Sequence, residues 1–236
     1  MGVDCAMIVP PKRGPRAATL ILVCLLPLAL GCAHAGGASD SKASLEGIGS
    51  ILVIGFRPVI LPDQQTGMVR NPLTDAIRYA EPVPQDVADK LTYSLFDHLT
   101  RSGGYHFISP RDARSQSSTV DSPFRIRGDS NLYLRIGESL SADAFLAGYI
   151  WRWKERKGAE FAVEFPASVD FDLYLIRLGD KAIVWKYAYD KTQQSLAENL
   201  LDLSTFLRAK GTWLSAFELA ELGLEKIVES FPKKSE

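Results

Sequence analysis

Three consecutive strand-like runs in the second half of the chain limit its fold more than any other feature. They cover residues 142–153, 160–178 and 181–189, and only short turns separate them. Runs of this kind, joined by turns this short, are typical of neighbouring antiparallel strands. The sequence therefore predicts an antiparallel three-stranded meander toward the C-terminal end.

The middle run shows the clearest alternation of apolar and polar residues. Val169, Phe171 and Leu173 alternate with Asp170 and Asp172, which is typical of a strand with one face in the core and one in water. The two aspartates project to the same side, as paired carboxylates must for acid–base catalysis or cation binding. The simpler interpretation is the solvated face of a half-exposed strand.

The residues before the meander predict alternating strands and helices. Residues 51–54 are aliphatic and suit a strand buried on both faces. Residues 57–84 contain five prolines, which predict an extended excursion. Pro84 suits the first turn of a helix that ends at the paired glycines before a second strand at 105–108.

The remaining elements complete the predicted order. Residues 109–129 are polar and predict a loop, and residues 131–140 predict a second helix. Ser215 and Glu218 match a capping box at the start of a final helix. The predicted order is β-α-β-α-β-β-β-α, an α+β fold with a mixed sheet, the C-terminal meander and helices on one face.

An aromatic stripe precedes a basic turn at the end of the first meander strand. Its three rings are spaced by two, so they are expected to share one face. One interpretation is a core cluster beneath the helices, and the other is a hairpin tip that contacts a partner or the membrane interface. The candidate interface consists of Tyr149, Trp151, Trp153, Lys154, Arg156 and Lys157.

The N-terminal residues have the pattern of an export signal. Lys12, Arg13 and Arg16 precede an apolar stretch at 17–30, which as a helix would reach roughly 21 Å, short of the roughly 30 Å membrane core. The last three residues of this stretch and the two after it, 28–32, read Leu-Ala-Leu-Gly-Cys and resemble the lipobox of bacterial lipoproteins. The alternative is an ordinary secretory signal that is cleaved shortly after these residues.

The lipobox resemblance implies a domain organisation and a location. Residues 1–31 would be a signal peptide, and Cys32 would carry the fatty acyl chains, palmitate among them, that hold the mature protein on the membrane. Residues 32–47 would be the lipidated cysteine and a flexible tether, and 48–236 a single globular periplasmic domain. The expected location is the periplasmic face of the outer membrane, with surface display as the alternative.

Composition and motifs disfavour several function classes. The chain has 27 basic and 28 acidic residues, so it has no electrostatic footprint for nucleic acid. Cys5 and Cys24 lie within the predicted signal, which leaves Cys32 as the mature cysteine. None of the three histidines has metal-ligand or catalytic-triad spacing. We therefore expect a non-enzymatic protein without a cofactor or metal.

The predicted order behind a lipidated cysteine resembles a group of envelope proteins. Residues 51–56, 87–99 and 105–109 are similar to the periplasmic domains of curli-secretion lipoproteins and of penicillin-binding-protein activators, which share a fold with the TolB N-terminal domain. The resemblance implies a protein that binds other envelope proteins or itself, as an assembly or secretion factor. The alternatives are an envelope enzyme that uses Asp170 and Asp172, and a carrier whose sheet encloses an apolar pocket. Residues 190–201 suggest no chemistry.

Overall fold

The computed structural model describes residues 45–118, 130–159, 162–194 and 212–234. The predicted signal, Cys32 and most of the tether lie outside these ranges, as do residues 195–201. The described elements are β1 (Ser50–Pro58), β2 (Gly67–Arg70), β3 (Ile77–Ala80), α1 (Gln85–Ser102), β4 (His106–Ile108), α2 (Pro110–Ser118), α3 (Ser130–Ser139), β5 (Ala144–Lys154), β6 (Lys157–Ala159), β7 (Ala162–Phe165), β8 (Ser168–Arg177), β9 (Ile183–Thr192) and α4 (Ala216–Ser230).

A five-stranded mixed sheet with the order β4-β1-β5-β8-β9 organises these elements. β1 pairs in parallel with β4 and β5, whereas β5, β8 and β9 pair antiparallel. The predicted meander is therefore confirmed, as is the α+β class. The long middle run divides, however, because residues 157–165 contain a small separate hairpin, β6–β7, before β8 begins.

Helices cover both faces of the sheet and create two cores. In the first core, Leu91 and Leu95 of α1 and Leu219 of α4 belong to one cluster with Ile51. In the second core, Tyr133 of α3 packs in a cluster with residues from the opposite face of β1 and β5. The prediction that the helices share one face is therefore wrong, because α1 and α4 lie on one side of the sheet and α2 and α3 lie on the other.

Strand β1 is buried on both faces, as predicted, and it fixes the position of α1. Gly55 has a φ of 85°, and a Cβ atom there would lie 2.1 Å from the Thr92 side chain. The Thr92 hydroxyl accepts a hydrogen bond from Phe56 N at 2.8 Å and donates one to Ala88 O at 2.7 Å. Glycine is needed at position 55 because of both its backbone conformation and this close approach.

The proline-rich excursion is more ordered than its composition suggests. It contains β2 and β3, which pair antiparallel as a hairpin. Val59 N donates to Ile150 O at 3.1 Å and Glu81 N donates to Trp151 O at 2.8 Å, so both ends of the excursion are fastened to β5. The hairpin was not predicted from the sequence.

The helix boundaries agree closely with the sequence pattern. α1 begins after Pro84 and ends before Gly103, and α3 begins one residue earlier than predicted. At the start of α4, Ser215 Oγ accepts from Glu218 N while Glu218 accepts from Ser215 N, which confirms the capping box. The predicted loop after β4 instead begins with α2. Among the described helices, none is long and apolar enough to cross a membrane.

Candidate functional site

A β-bulge in β5 separates the aromatic residues that the sequence placed together. Ile150 pairs with Phe171 and Arg152 pairs with Asp170, so Trp151 is an extra residue between them. The extra residue shifts the alternation of side chains by one position. Tyr149 and Trp151 consequently belong to the second core, whereas Trp153 packs against the first. The prediction that the three rings share one face is wrong for Trp153.

The buried positions of Tyr149 and Trp151 agree with the core interpretation left open by the sequence. Trp151 is fully buried and Tyr149 is 4% exposed. Because a ring must reach the surface to contact a partner, neither of these two residues offers an exposed interface in this structure. Trp153 is half-buried, and its indole N–H donates to Glu155 Oε1 at 3.0 Å.

The basic turn after β5 makes contacts within the chain. Lys154 forms an ion pair with Glu81 at 2.9 Å, and Arg156 donates to the carbonyl oxygen of Trp213. Lys157 lies over the ring of Phe165, 5.8 Å from its centroid, and Phe165 is itself exposed. A role of this turn at a membrane or partner stays a prediction.

The β2–β3 hairpin has one inner and one outer face. Directly paired residues of antiparallel strands lie on the same side. Val69 pairs with Arg78 on the inner side, toward the sheet, and Met68 pairs with Tyr79 on the outer side. The hairpin therefore presents Arg78 to β8 and an apolar pair to the surface.

Arg78 lies between the two aspartates of β8. Its Nη2 atom is 2.7 Å from Asp170 Oδ1 and 2.8 Å from Asp170 Oδ2, and Nη1 is 2.9 Å from Asp172 Oδ2. The guanidinium also lies over the Trp151 ring, 4.5 Å from its centroid. One cation thus contacts both carboxylates and a buried aromatic face, a geometry that suits the planar guanidinium of arginine.

Asn71 joins the turn of the hairpin to the same cluster. Its Oδ1 atom accepts from Leu73 N at 2.8 Å and from Thr74 N at 3.2 Å, which shapes the turn. Its Nδ2 atom donates to Asp172 Oδ2 at 3.2 Å and to the Tyr174 hydroxyl at 2.9 Å. The amide is therefore engaged at both ends and fixes the hairpin above β8.

Burial dominates the electrostatics of this cluster. It raises the pKa of Asp172 to about 6, although the Tyr174 hydrogen bond and the charge of Arg78 both favour the ionised form. Burial also raises the pKa of Asp170 above its ordinary value, against the lowering effect of Arg78. Burial alone would lower the pKa of Arg78, but the two carboxylates raise it above its ordinary value.

The prediction that Asp170 and Asp172 lie on a solvated strand face is wrong. Asp170 is 6% and Asp172 is 2% exposed, because the hairpin covers this side of β8 and Arg78 forms ion pairs with both carboxylates. Each carboxylate accepts a hydrogen bond from Arg78 and is buried beneath the hairpin, so neither is presented to a substrate. In the described ranges, no group of three or more His, Cys, Asp or Glu side chains is arranged to hold a metal ion.

The outer face of the hairpin carries three of the five large apolar side chains that are exposed among the described residues. Met68 is 65%, Ile77 is 59% and Tyr79 is 56% exposed. Ile77 pairs with Arg70, whose guanidinium lies 3.6 Å from Asp75. The sequence analysis missed this face, although alternation on either side of the Asn71-Pro72 turn is a recognisable hairpin signal.

A cavity of about 540 Å³ lies between the start of the excursion and the second core. Its polar contributors include Arg57, Arg70, Asp75 and Tyr149, and its apolar walls include Val69. Arg57 lies over the ring of Tyr133, 4.8 Å from its centroid. Asp170 and Asp172 are not among its lining residues, although Asn71 contacts both the cavity and the charge cluster.

Comparison with known proteins finds similarity only among solved structures. No protein-family model matches this chain, and no curated protein sequence matches it. The lipoprotein GNA1162 from Neisseria meningitidis is 12% identical over 78% of this chain and 99% of its own, with a TM-score of 0.42. The C-terminal domain of LpoB from Salmonella enterica is 14% identical over 63% and 87%, with a TM-score of 0.38.

A third similar structure is the PelC dodecamer from Paraburkholderia phytofirmans, 13% identical over 61% of this chain and 71% of its own, with a TM-score of 0.34. GNA1162 is a lipoprotein, the broad class that the N-terminal residues resemble. Similarity to curli-secretion lipoproteins and to the TolB N-terminal domain stays a prediction. Since all three TM-scores are low, function must be inferred from this chain's own residues.

Proposed function

We propose that this chain is a lipid-anchored, non-enzymatic protein of the cell envelope that binds another envelope protein. The anchor is inferred from the apolar stretch at 17–30 and from the resemblance of residues 28–32 to a lipobox. The single observation in favour of partner binding is the exposed apolar face of the β2–β3 hairpin, formed by Met68, Ile77 and Tyr79.

Exposed apolar residues that adjoin one another favour a binding role over chance. Scattered apolar side chains are normal on protein surfaces, but adjacent ones with a polar rim mark interaction sites. Met68 and Tyr79 are direct cross-strand partners, and Ile77 follows on the same outer side. Arg70 and Asp75 form a charged rim at the turn. We infer that the partner presents an apolar surface surrounded by polar groups.

The hairpin is preorganised for such a contact. Arg78 and Asn71 hold its inner face against β8, and both ends of the excursion are hydrogen-bonded to β5. A two-stranded hairpin alone is only marginally stable in water. Because these contacts supply the missing stability, the hairpin is already ordered, and its outer face can bind a partner without a large loss of conformational entropy.

Photo-crosslinking in intact cells tests this proposal. A photoreactive phenylalanine analogue replaces Tyr79, and the matched control carries the same analogue at Tyr93, an exposed tyrosine of α1. We expect a covalent adduct with one envelope protein from position 79 and none from position 93. Equal labelling at both positions, or adducts only with a second copy of this chain, would contradict the proposal.

A complementary measurement separates binding from folding. The double variant Met68→Ser, Tyr79→Ser should lose the captured partner in co-purification. Its free energy of unfolding should change by only about 0.5 kcal/mol per site, as is usual for surface substitutions. A variant that keeps the partner would exclude this face as the binding surface.

A further inference from the structure

Tyr149 lines the cavity, and its hydroxyl has no hydrogen-bond partner in the described part of the chain. The residue is 4% exposed, and its hydroxyl makes no hydrogen bond to any described residue. Buried polar groups in native proteins are nearly always hydrogen-bonded, and an unsatisfied one is destabilising. Tyr149 is one of the lining residues of the cavity, so a molecule bound there could supply the missing partner.

The charged side chains that line the cavity carry a net positive charge. Arg57 and Arg70 both line it, against a single carboxylate, Asp75, which lies beside Arg70 at 3.6 Å. Arg57 lies over the ring of Tyr133, which also lines the cavity, and it contributes a planar group with several N–H donors to the lining. Burial raises the pKa of Tyr149 well above its ordinary value, so its phenol stays protonated and acts as a donor.

The rest of the wall is apolar or already satisfied. Pro58, Val59, Val69 and Pro72 contribute hydrocarbon surface. Asn71 also lines the cavity, but its amide is engaged by Asp172, Tyr174 and the turn backbone. The volume of about 540 Å³ falls within the range of about 300 to 1,000 Å³ that is usual for small-molecule sites.

We propose that this cavity binds an organic carboxylate with an apolar body, whose oxygens accept hydrogen bonds from Arg57 and Tyr149. Arginine pairs with carboxylates through parallel N–H donors, and a phenol adds a third donor from the side. The body of the ligand packs against the proline and valine walls. This site is separate from the hairpin face, so it can succeed or fail independently of the proposed partner binding.

Isothermal titration of the full chain with 2-naphthoate tests the proposal, with 2-naphthamide as the uncharged probe. We expect the acid to bind at least about ten-fold more tightly than the amide, because a hydrogen bond to a charged group is worth more than a neutral one. Arg57→Met should weaken naphthoate binding by about ten-fold or more. Tyr149→Phe should weaken it several-fold without lowering the melting temperature.

Tyr105→Phe is the matched control for the tyrosine variant. The Tyr105 hydroxyl is also buried without a hydrogen-bond partner among the described residues, but Tyr105 packs against the first core, away from the cavity. Its variant should bind naphthoate like the unmodified chain. Equal affinity for acid and amide, or equal losses in the Tyr105 and Tyr149 variants, would overturn the proposal.

A second pair of probes distinguishes a free acid from a polypeptide end. A tripeptide that ends in phenylalanine is titrated with its terminal carboxyl group free or amidated. Tighter binding of the free form, lost in Arg57→Met, would assign the site to a peptide carboxylate, and binding of naphthoate alone would assign it to a small acid. If neither carboxylate binds, the proposal is wrong.

Discussion

Asp172 is a carboxyl group whose charge changes near neutral pH. Burial raises its pKa to about 6, so between about pH 4 and pH 6 the folded chain binds more protons here than the unfolded chain does. A raised carboxyl pKa contributes stability that is fully present below the unfolded pKa. This contribution is lost as the pH rises through the folded pKa.

The variant Asp172→Asn should therefore flatten part of the pH dependence of stability. Relative to the variant, the unmodified chain should lose about 2 kcal/mol of unfolding free energy between pH 4 and pH 7, since one pKa unit corresponds to about 1.4 kcal/mol and pH 4 already lies near the unfolded pKa. Urea unfolding of both proteins across this range measures the difference. A difference that does not change with pH would contradict the assignment.

Asp143 supplies a control of opposite sign. Burial would raise its pKa, but hydrogen bonds from Gly49 N, Ser50 N and the Ser50 hydroxyl together lower it below its ordinary value. Its contribution to stability is present above the unfolded pKa and is lost as the pH falls through the folded pKa. The variant Asp143→Asn should change the pH profile in the opposite direction to Asp172→Asn.

Arg78 determines whether the β2–β3 hairpin stays on the sheet. Removing one partner of a buried ion pair leaves an uncompensated charge and costs about 3 to 5 kcal/mol. Because Arg78 keeps 29% of its side chain exposed, we expect Arg78→Met to fall at the lower end of that range. Chemical unfolding measures the loss. Proteolysis should become faster within residues 57–84.

Arg70→Met is the matched control, because Arg70 lies on the outer side of the same hairpin and its ion pair with Asp75 is exposed. Exposed pairs contribute about 0 to 1 kcal/mol. Equal destabilisation by the two substitutions would show that the contacts of Arg78 with Asp170 and Asp172 do not hold the hairpin on the sheet.

The sequence predicted the elements whose pattern is set locally, such as the capping box at Ser215 and the alternation along β8. It did not predict what covers the polar face of β8. Alternation shows that the two faces of a strand differ, but a polar face can meet water or a cation from a distant segment. The covering cation, Arg78, lies over 90 residues away along the chain, so no local pattern connects the two.

The bulge at Trp151 shows a second limit of periodicity. A strict two-residue period places Tyr149, Trp151 and Trp153 together, and a single extra residue moves Trp153 to the other core. Bulges depend on register with neighbouring strands and leave little trace in one strand's sequence. The sequence analysis also missed the cavity, because Arg57, Arg70 and Tyr149 meet only through tertiary packing.

The lipid on Cys32 is the predicted attachment of the whole chain to the membrane. Cys32→Ser should release the chain into the soluble fraction, because serine has no thiol to carry the acyl chains on which the predicted anchoring depends. Cell fractionation and metabolic labelling with a palmitate analogue measure the loss.

Cys24→Ser, within the predicted signal, is the matched control and should leave both the fractionation and the labelling unchanged. Persistence of the Cys32→Ser chain in the membrane fraction would contradict the predicted anchor.

The two faces of the β2–β3 hairpin divide the demands of stability from those of recognition. The inner residues Arg78 and Asn71 hold the hairpin against the sheet, while Met68 and Tyr79 are mostly exposed on its outer side. Mutation can therefore alter the outer residues with little cost to folding. Natural selection could retarget this surface to a new partner by changing a few side chains, while the domain beneath it is inherited unchanged.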